Sequence, residues 1–204
     1  IGSPRASLES NFALRELVGK EHYSTGMNQK EQSLVELAAD IMQMDGIYNP
    51  SMREIESYDA VLILGEDLTQ TAPRMALSVR QAAKNKAKQM AADKRTQDWL
   101  AEPVQRIAQH AKSPIYILAA TQTRLSDVAE AEVVASPNDI ARLGFAVAAA
   151  LKGDSMTGLA DDAKAYAETM ANTLKAAKKP LVIAGTSLQD PAIMQAAAAV
   201  TQAL

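Results

Sequence analysis

The sequence predicts an α/β fold: Rossmann-like layers of mostly parallel strands flanked by helices. Three observations carry this. Apolar runs at 60–64, 115–119 and 181–184 are rich in Val, Ile and Leu and too short for helices, as strands buried on both faces are. Two of the runs end in glycine, Gly65 and Gly185. Long Ala-, Leu-, Lys- and Gln-rich stretches of helical composition lie between them, several led by proline. One unit therefore recurs after Leu64 and after Ala184: buried strand, glycine, polar loop, proline-led helix.

The elements follow in order. Residues 11–18 read as a short helix with Phe12, Leu14, Leu17 and Val18 apolar, ended by Gly19 and Lys20. Residues 23–28 read as loop. Residues 32–44 are amphipathic through Leu34, Leu37, Ala38, Ile41 and Met42, with Gly46 as the stop. After the strand at 60–64, Pro73 opens a helix that strong formers carry to about Ala92. Pro103 opens another through Ala111. Pro114 precedes the strand at 115–119, and Val133-Val134 forms a short third strand. Ser136-Pro137-Asn138-Asp139 combines a side-chain cap, a first-turn proline and an acid near the positive end of the dipole. That helix runs to Leu151 and stops at Lys152-Gly153. Residues 160–178 are helical, with Asp161-Asp162 as first-turn charge. The last strand follows, and Asp190-Pro191 repeats the cap-plus-proline start. The chain divides into 1–153, one α/β domain, and 154–204, the start of a second α/β segment, truncated, for which packing in the same domain stays open. Residues 155–158 are the candidate hinge. Ile1 at one end and a helical Ala-rich run to Leu204 at the other read as cuts through a longer protein.

Composition narrows the function classes. The formal net charge is -3, without the basic excess of a nucleic-acid binder. There are no cysteines, which excludes disulfides, a catalytic thiol and thiolate ligation of zinc or iron–sulfur clusters within these residues. The longest apolar runs, such as 146–151, fall far short of the ~20 residues that span a bilayer.

Candidate chemistry concentrates at the strand ends, beyond which ligands of open α/β sheets bind. In the loop 65–71, Glu66 and Asp67 would repel a phosphate. The ordinary account is that Gly65 permits a tight turn and the acids solvate the loop. As an acid–base pair or a magnesium site they are poorly placed, since adjacent residues point apart on extended backbone. The loop Gly185-Thr186-Ser187-Leu188 suits an anion better but lacks a Walker pattern. His22 and His110 read as surface residues, and two isolated histidines make no metal site. Lys84, Lys86, Lys88, Lys94 and Arg95 form a basic run: a solvated helix face or, more sharply, a contact with an acidic neighbour. Met42, Met44, Met75 and Met90 read as core fillers. The serines lack a G-x-S-x-G context. No catalytic, cofactor-binding or metal-binding residue is assigned.

Three segments carry a resemblance. They are Ile1-Gly2-Ser3-Pro4-Arg5-Ala6-Ser7-Leu8-Glu9-Ser10-Asn11, Tyr58-Asp59-Ala60-Val61-Leu62-Ile63-Leu64-Gly65 with Pro73 beyond it, and Lys179-Pro180-Leu181-Val182-Ile183-Ala184-Gly185. Their order and spacing resemble the molybdopterin oxidoreductase superfamily and, within it, the large iron–sulfur subunits (the G subunits) of bacterial NADH:quinone oxidoreductases, respiratory complex I. Pterin-binding members follow the strand's glycine with Ser-Asn-Pro or similar; here Glu66-Asp67-Leu68 stands instead. The resemblance implies an internal part of such a subunit that keeps the fold without the molybdenum cofactor, the iron–sulfur clusters lying elsewhere in the parent subunit. It implies a scaffold and interaction role inside a complex that passes electrons from NADH through iron–sulfur clusters to quinone. The expected partners are other parts of the same subunit and other peripheral-arm subunits, with no nucleic acid and no direct membrane insertion. The expected place is the cytoplasmic side of the bacterial inner membrane. Two other readings stand beside it: a nucleotide- or pterin-binding module retaining an ancestral dinucleotide site, with a positively biased cleft near Gly2-Ser3, Gly65 and Gly185, and an independent enzyme, with titratable groups clustered in one pocket.

Overall fold

The structure, a computed structural model, describes residues 1–156 and 158–204. Four parallel strands form one sheet in the order β3-β2-β1-β4: β1 Ala60–Leu64, β2 Ile115–Ala119, β3 Ala131–Val134 and β4 Pro180–Ala184. All of β1 and β2 is buried, which is why those runs show no polar alternation. The chain winds from β1 through β2 to β3 on one side, then crosses back to place β4 against the other side of β1. Segment 154–204 therefore supplies a strand to the sheet that 1–153 begins. The hinge expected at 155–158 includes Thr157, which lies outside the described residues.

Alternate strand residues feed two cores. Leu62, Leu64 and Leu118 face α7 (Pro137–Lys152), α8 (Asp161–Ala176) and α9 (Pro191–Ala203). Val61, Ile63, Ile115 and Ile117 face Ile55, Leu68 and the Ala76 and Val79 side of α4 (Pro73–Ala82). This two-sided coverage is the doubly wound arrangement the sequence predicts.

The helix starts follow the predicted capping. Ser136 accepts from the Asp139 N–H at 3.3 Å, and Gly153 ends α7 in the left-handed region. Asp190 accepts from the Ala192 N–H at 2.9 Å ahead of Pro191. Two helices begin three residues before the expected positions, because their caps do. Ser7 caps α1 (Leu8–Val18), and Asn28 caps α2 (Gln29–Met42). Gly46 lies beyond the end of α2, whose cap is Gln43.

The long helix expected from Pro73 to Ala92 is two helices, α4 and α5 (Asn85–Asp93). Ser113 breaks it by inserting into the hydrogen-bond ladder. Its N–H donates to the Ala83 carbonyl at 2.9 Å, and its hydroxyl accepts from the Lys86 N–H at 3.0 Å. A short helix, α3 (Leu68–Thr71), occupies part of the expected loop. Pro103 sits inside the first turn of α6 (Ala101–Ala108), which ends three residues before Ala111, where Gln109 takes a φ of 53°.

Candidate functional site

The strand order places a topological switch point between β1 and β4, and its carboxyl edge is where a sheet of this kind receives a ligand. The loops after β1 and β4 meet there. Gly65 leaves β1 with a φ of 75°, and a side chain at that position would press on Ile193 and Leu188.

Glu66 fills the crevice between the two loops. Its side chain turns inward toward β4 and is only 5% exposed. One carboxyl oxygen accepts the backbone N–H of Ser187 at 2.9 Å. The other accepts the Ser187 hydroxyl at 2.6 Å and lies 3.1 Å from the Thr71 hydroxyl. A Cβ at Gly185 would overlap the Glu66 carboxyl group, so any side chain there would displace it. The expectation that both acids solvate the loop fails for Glu66, whose partner lies 121 residues away. Asp67 has a local task. It caps α3 by accepting from the N–H and hydroxyl of Thr69 at 3.0 and 2.6 Å.

The chemistry of this arrangement is that of an anion pocket satisfied from within. The N–H and hydroxyl of Ser187 are the donors a phosphate would use, and the Glu66 carboxyl oxygens already hold them. A phosphate and Glu66 cannot occupy that position together. Gly2 and Ser3 do not complete the pocket. Their N–H groups donate to the Ser24 carbonyl at 2.7 Å and to Asn11 Oδ1 at 3.0 Å, within the N-terminal segment.

The remaining candidates disperse. His22 sits exposed in a turn beside Glu21, and His110 is exposed after α6. No group of three or more His, Cys, Asp or Glu among the described residues could hold a metal ion. Met42 and Met44 are exposed rather than core, because α2 buries only Leu34. Lys86 and Lys88 line a cleft at the opposite, amino edge of the sheet, together with Lys178 and Lys179. That second pair was not legible, since nothing local links residues 178–179 to α5. No helix among the described residues is long and apolar enough to cross a membrane.

The sequence matches known proteins along almost its whole length. A family model, molybdopterin oxidoreductase, matches residues 2–204. The chain is 52% identical over 206 aligned positions to the G subunit of an NADH-quinone oxidoreductase from Pseudomonas putida, covering 100% of this chain and 23% of that protein. It is 48% identical, with the same coverage, to the corresponding G subunits of Salmonella typhimurium and Escherichia coli K12. The chain thus spans about a quarter of the length of these relatives, 23%. By the match across almost its whole length, the chain belongs to the molybdopterin oxidoreductase family, and its similarity within that family is to the G subunits of NADH-quinone oxidoreductases.

Proposed function

We propose that this chain is a non-catalytic scaffold and interaction domain of an NADH-quinone oxidoreductase G subunit, inside a complex that moves electrons from NADH through iron–sulfur clusters to quinone. Its partners are the rest of that subunit and other subunits of the peripheral arm, on the cytoplasmic side of the membrane. The observation that carries this reading is Glu66, seated where a dinucleotide's phosphate would have to bind. The crevice does not fit the phosphates of a molybdopterin dinucleotide, and with no cysteine the chain offers no thiolate to an iron–sulfur cluster. The N-terminal segment supports the interaction side. Helix α1 has no buried residue, and Leu8 and Leu17 are 82% and 83% exposed. Leu8 and the half-exposed Phe12, four residues apart, share one face of α1, and adjoining apolar surface of this kind marks a contact with another polypeptide.

The test is a thermal titration with GDP, a surrogate for the guanine dinucleotide. A ligand that binds only the folded chain adds about 2.7 kcal/mol at 100 times its dissociation constant, a shift of several degrees for a domain this size. The expected result is no shift at millimolar GDP. A saturable shift, abolished by Gly185→Val, would replace the scaffold reading with that of a nucleotide-binding module.

A further inference from the structure

An open cleft of about 1220 Å³ runs across the amino edge of the sheet, at the far end from Glu66. Its walls are α5 and the last turn of α8, and its floor is formed by residues leading into β1, β2 and β4. The volume exceeds the roughly 300–1,000 Å³ of ordinary small-molecule sites.

Polar groups that line the cleft are already bonded within the fold. Asp59 accepts the backbone N–H groups of Lys178 and Lys179 at 3.0 and 2.8 Å. The Asn85 amide donates to the carbonyls of Glu56 and Tyr58 at 2.9 and 2.8 Å. No buried side-chain nitrogen or oxygen among the described residues lacks a partner. A small polar ligand would find nothing unsatisfied there.

What remains is apolar surface, including Met90 and Ala176, in a lining that also holds four lysines. Lys86, Lys178 and Lys179 are exposed and Lys88 is half-buried. None of the four pairs with a carboxylate within 4.0 Å among the described residues. The fold gathers these four lysines from two distant segments, against the two carboxylates of Asp59 and Asp98 in the same lining, so the cleft carries an excess of positive charge. Such a field orients and speeds the encounter with a diffusing partner of opposite charge.

We propose that the amino-edge cleft docks an acidic segment of a separate partner polypeptide. Carboxylates of that segment meet Lys86, Lys88, Lys178 and Lys179, and its apolar side chains cover Met90 and Ala176. The proposal deepens the interaction reading. It is independent of the Glu66 crevice, so the GDP titration and the experiment below can fail separately.

The probe is a short fluorescein-labelled peptide of alternating Glu and Leu, followed by anisotropy. The expected result is saturable binding, severalfold weaker at about 1 M than at about 0.1 M salt. The double reversals K86E/K88E and K178E/K179E should each weaken it about tenfold with an unchanged Tm, as rim charges do. No saturable binding at millimolar peptide, or equal binding by both reversal variants, overturns the proposal. Tripolyphosphate that binds more tightly than the peptide and displaces it would make the cleft a small-polyanion site instead. Loss of peptide binding in the full-length protein would show the same polypeptide covering the cleft, and would sink the claim of a separate partner.

Discussion

Glu66 draws one partner from nearby, Thr71, and one from 121 residues away, Ser187, and its removal should be felt as lost bonds to these donors. Glu66→Ala leaves the Ser187 N–H and hydroxyl without their acceptor, and because Ser187 is exposed, water replaces part of it. Urea denaturation should show a loss of about 1 kcal/mol, the net worth of hydrogen bonds that water can partly replace, with Glu66→Gln losing less. Neighbouring sequence could not reveal this role. Glu66 and Asp67 look alike on paper, and only the crossover that brings Ser187 alongside β1 separates a buried acid from a local cap. Arg80 and Asp127 show the opposite, solvent-side case. Arg80 donates to both carboxyl oxygens of Asp127, at 2.8 and 2.9 Å, and these bonds hold the Asp127 pKa below its usual value. Because the folded value is the lower one, the contribution is present above the unfolded value of about 3.9 and is lost as pH falls through the folded one. Arg80→Ala should cost no more than about 1 kcal/mol near neutrality, given the exposure of both side chains. Carboxyl NMR titration should find the Asp127 midpoint moved upward in that variant.

Strands and capped helix starts were legible because they rest on local chemistry. Residues 60–64 and 115–119 are apolar on both faces, and Ser136 and Asp190 cap the helices that follow β3 and β4. The break between α4 and α5 was not legible, because Ser113 makes it from 27 residues away. Tertiary insertion overrode a run of good helix formers. The contact of α7 with α9 makes a prediction of the same kind. A Cβ on Gly144 would lie 2.9 Å from Ala196 Cβ and 3.3 Å from Leu64 Cδ1, so α7 could not keep its approach to α9. Gly144→Ala gains about 1 kcal/mol of helix propensity but incurs overpacking of about 1–3 kcal/mol. Thermal denaturation should report a net loss of about 1 kcal/mol.

The molecule as a whole has a well-covered sheet and a thinly packed N-terminal segment. Leu8, Phe12 and Leu17 of α1 are exposed. Replacing Leu8 and Leu17 together by Ala should therefore change the stability of this chain by less than about 0.5 kcal/mol. The same pair of changes should lower co-purification of the full-length protein with its complex. If stability falls as much as assembly does, α1 serves the fold and not a contact. Folding of the sheet, by contrast, depends on contacts that span the chain. Strand β1 has β2 on one side, but its other side waits for β4, and the bond from Lys179 to Asp59 bridges 120 residues. On a ribosome adding about 5–20 residues per second, that interval is roughly 6–24 s. Throughout it, a fully apolar strand has one ladder of N–H and C=O groups unmet, the condition in which strands pair with the wrong chain. Nascent chains stalled ahead of Pro180 should be cleaved readily near β1 by a limiting protease, and those stalled well past Leu204 should resist. Birth order thus gives this protein a window of vulnerability that its finished sheet does not show.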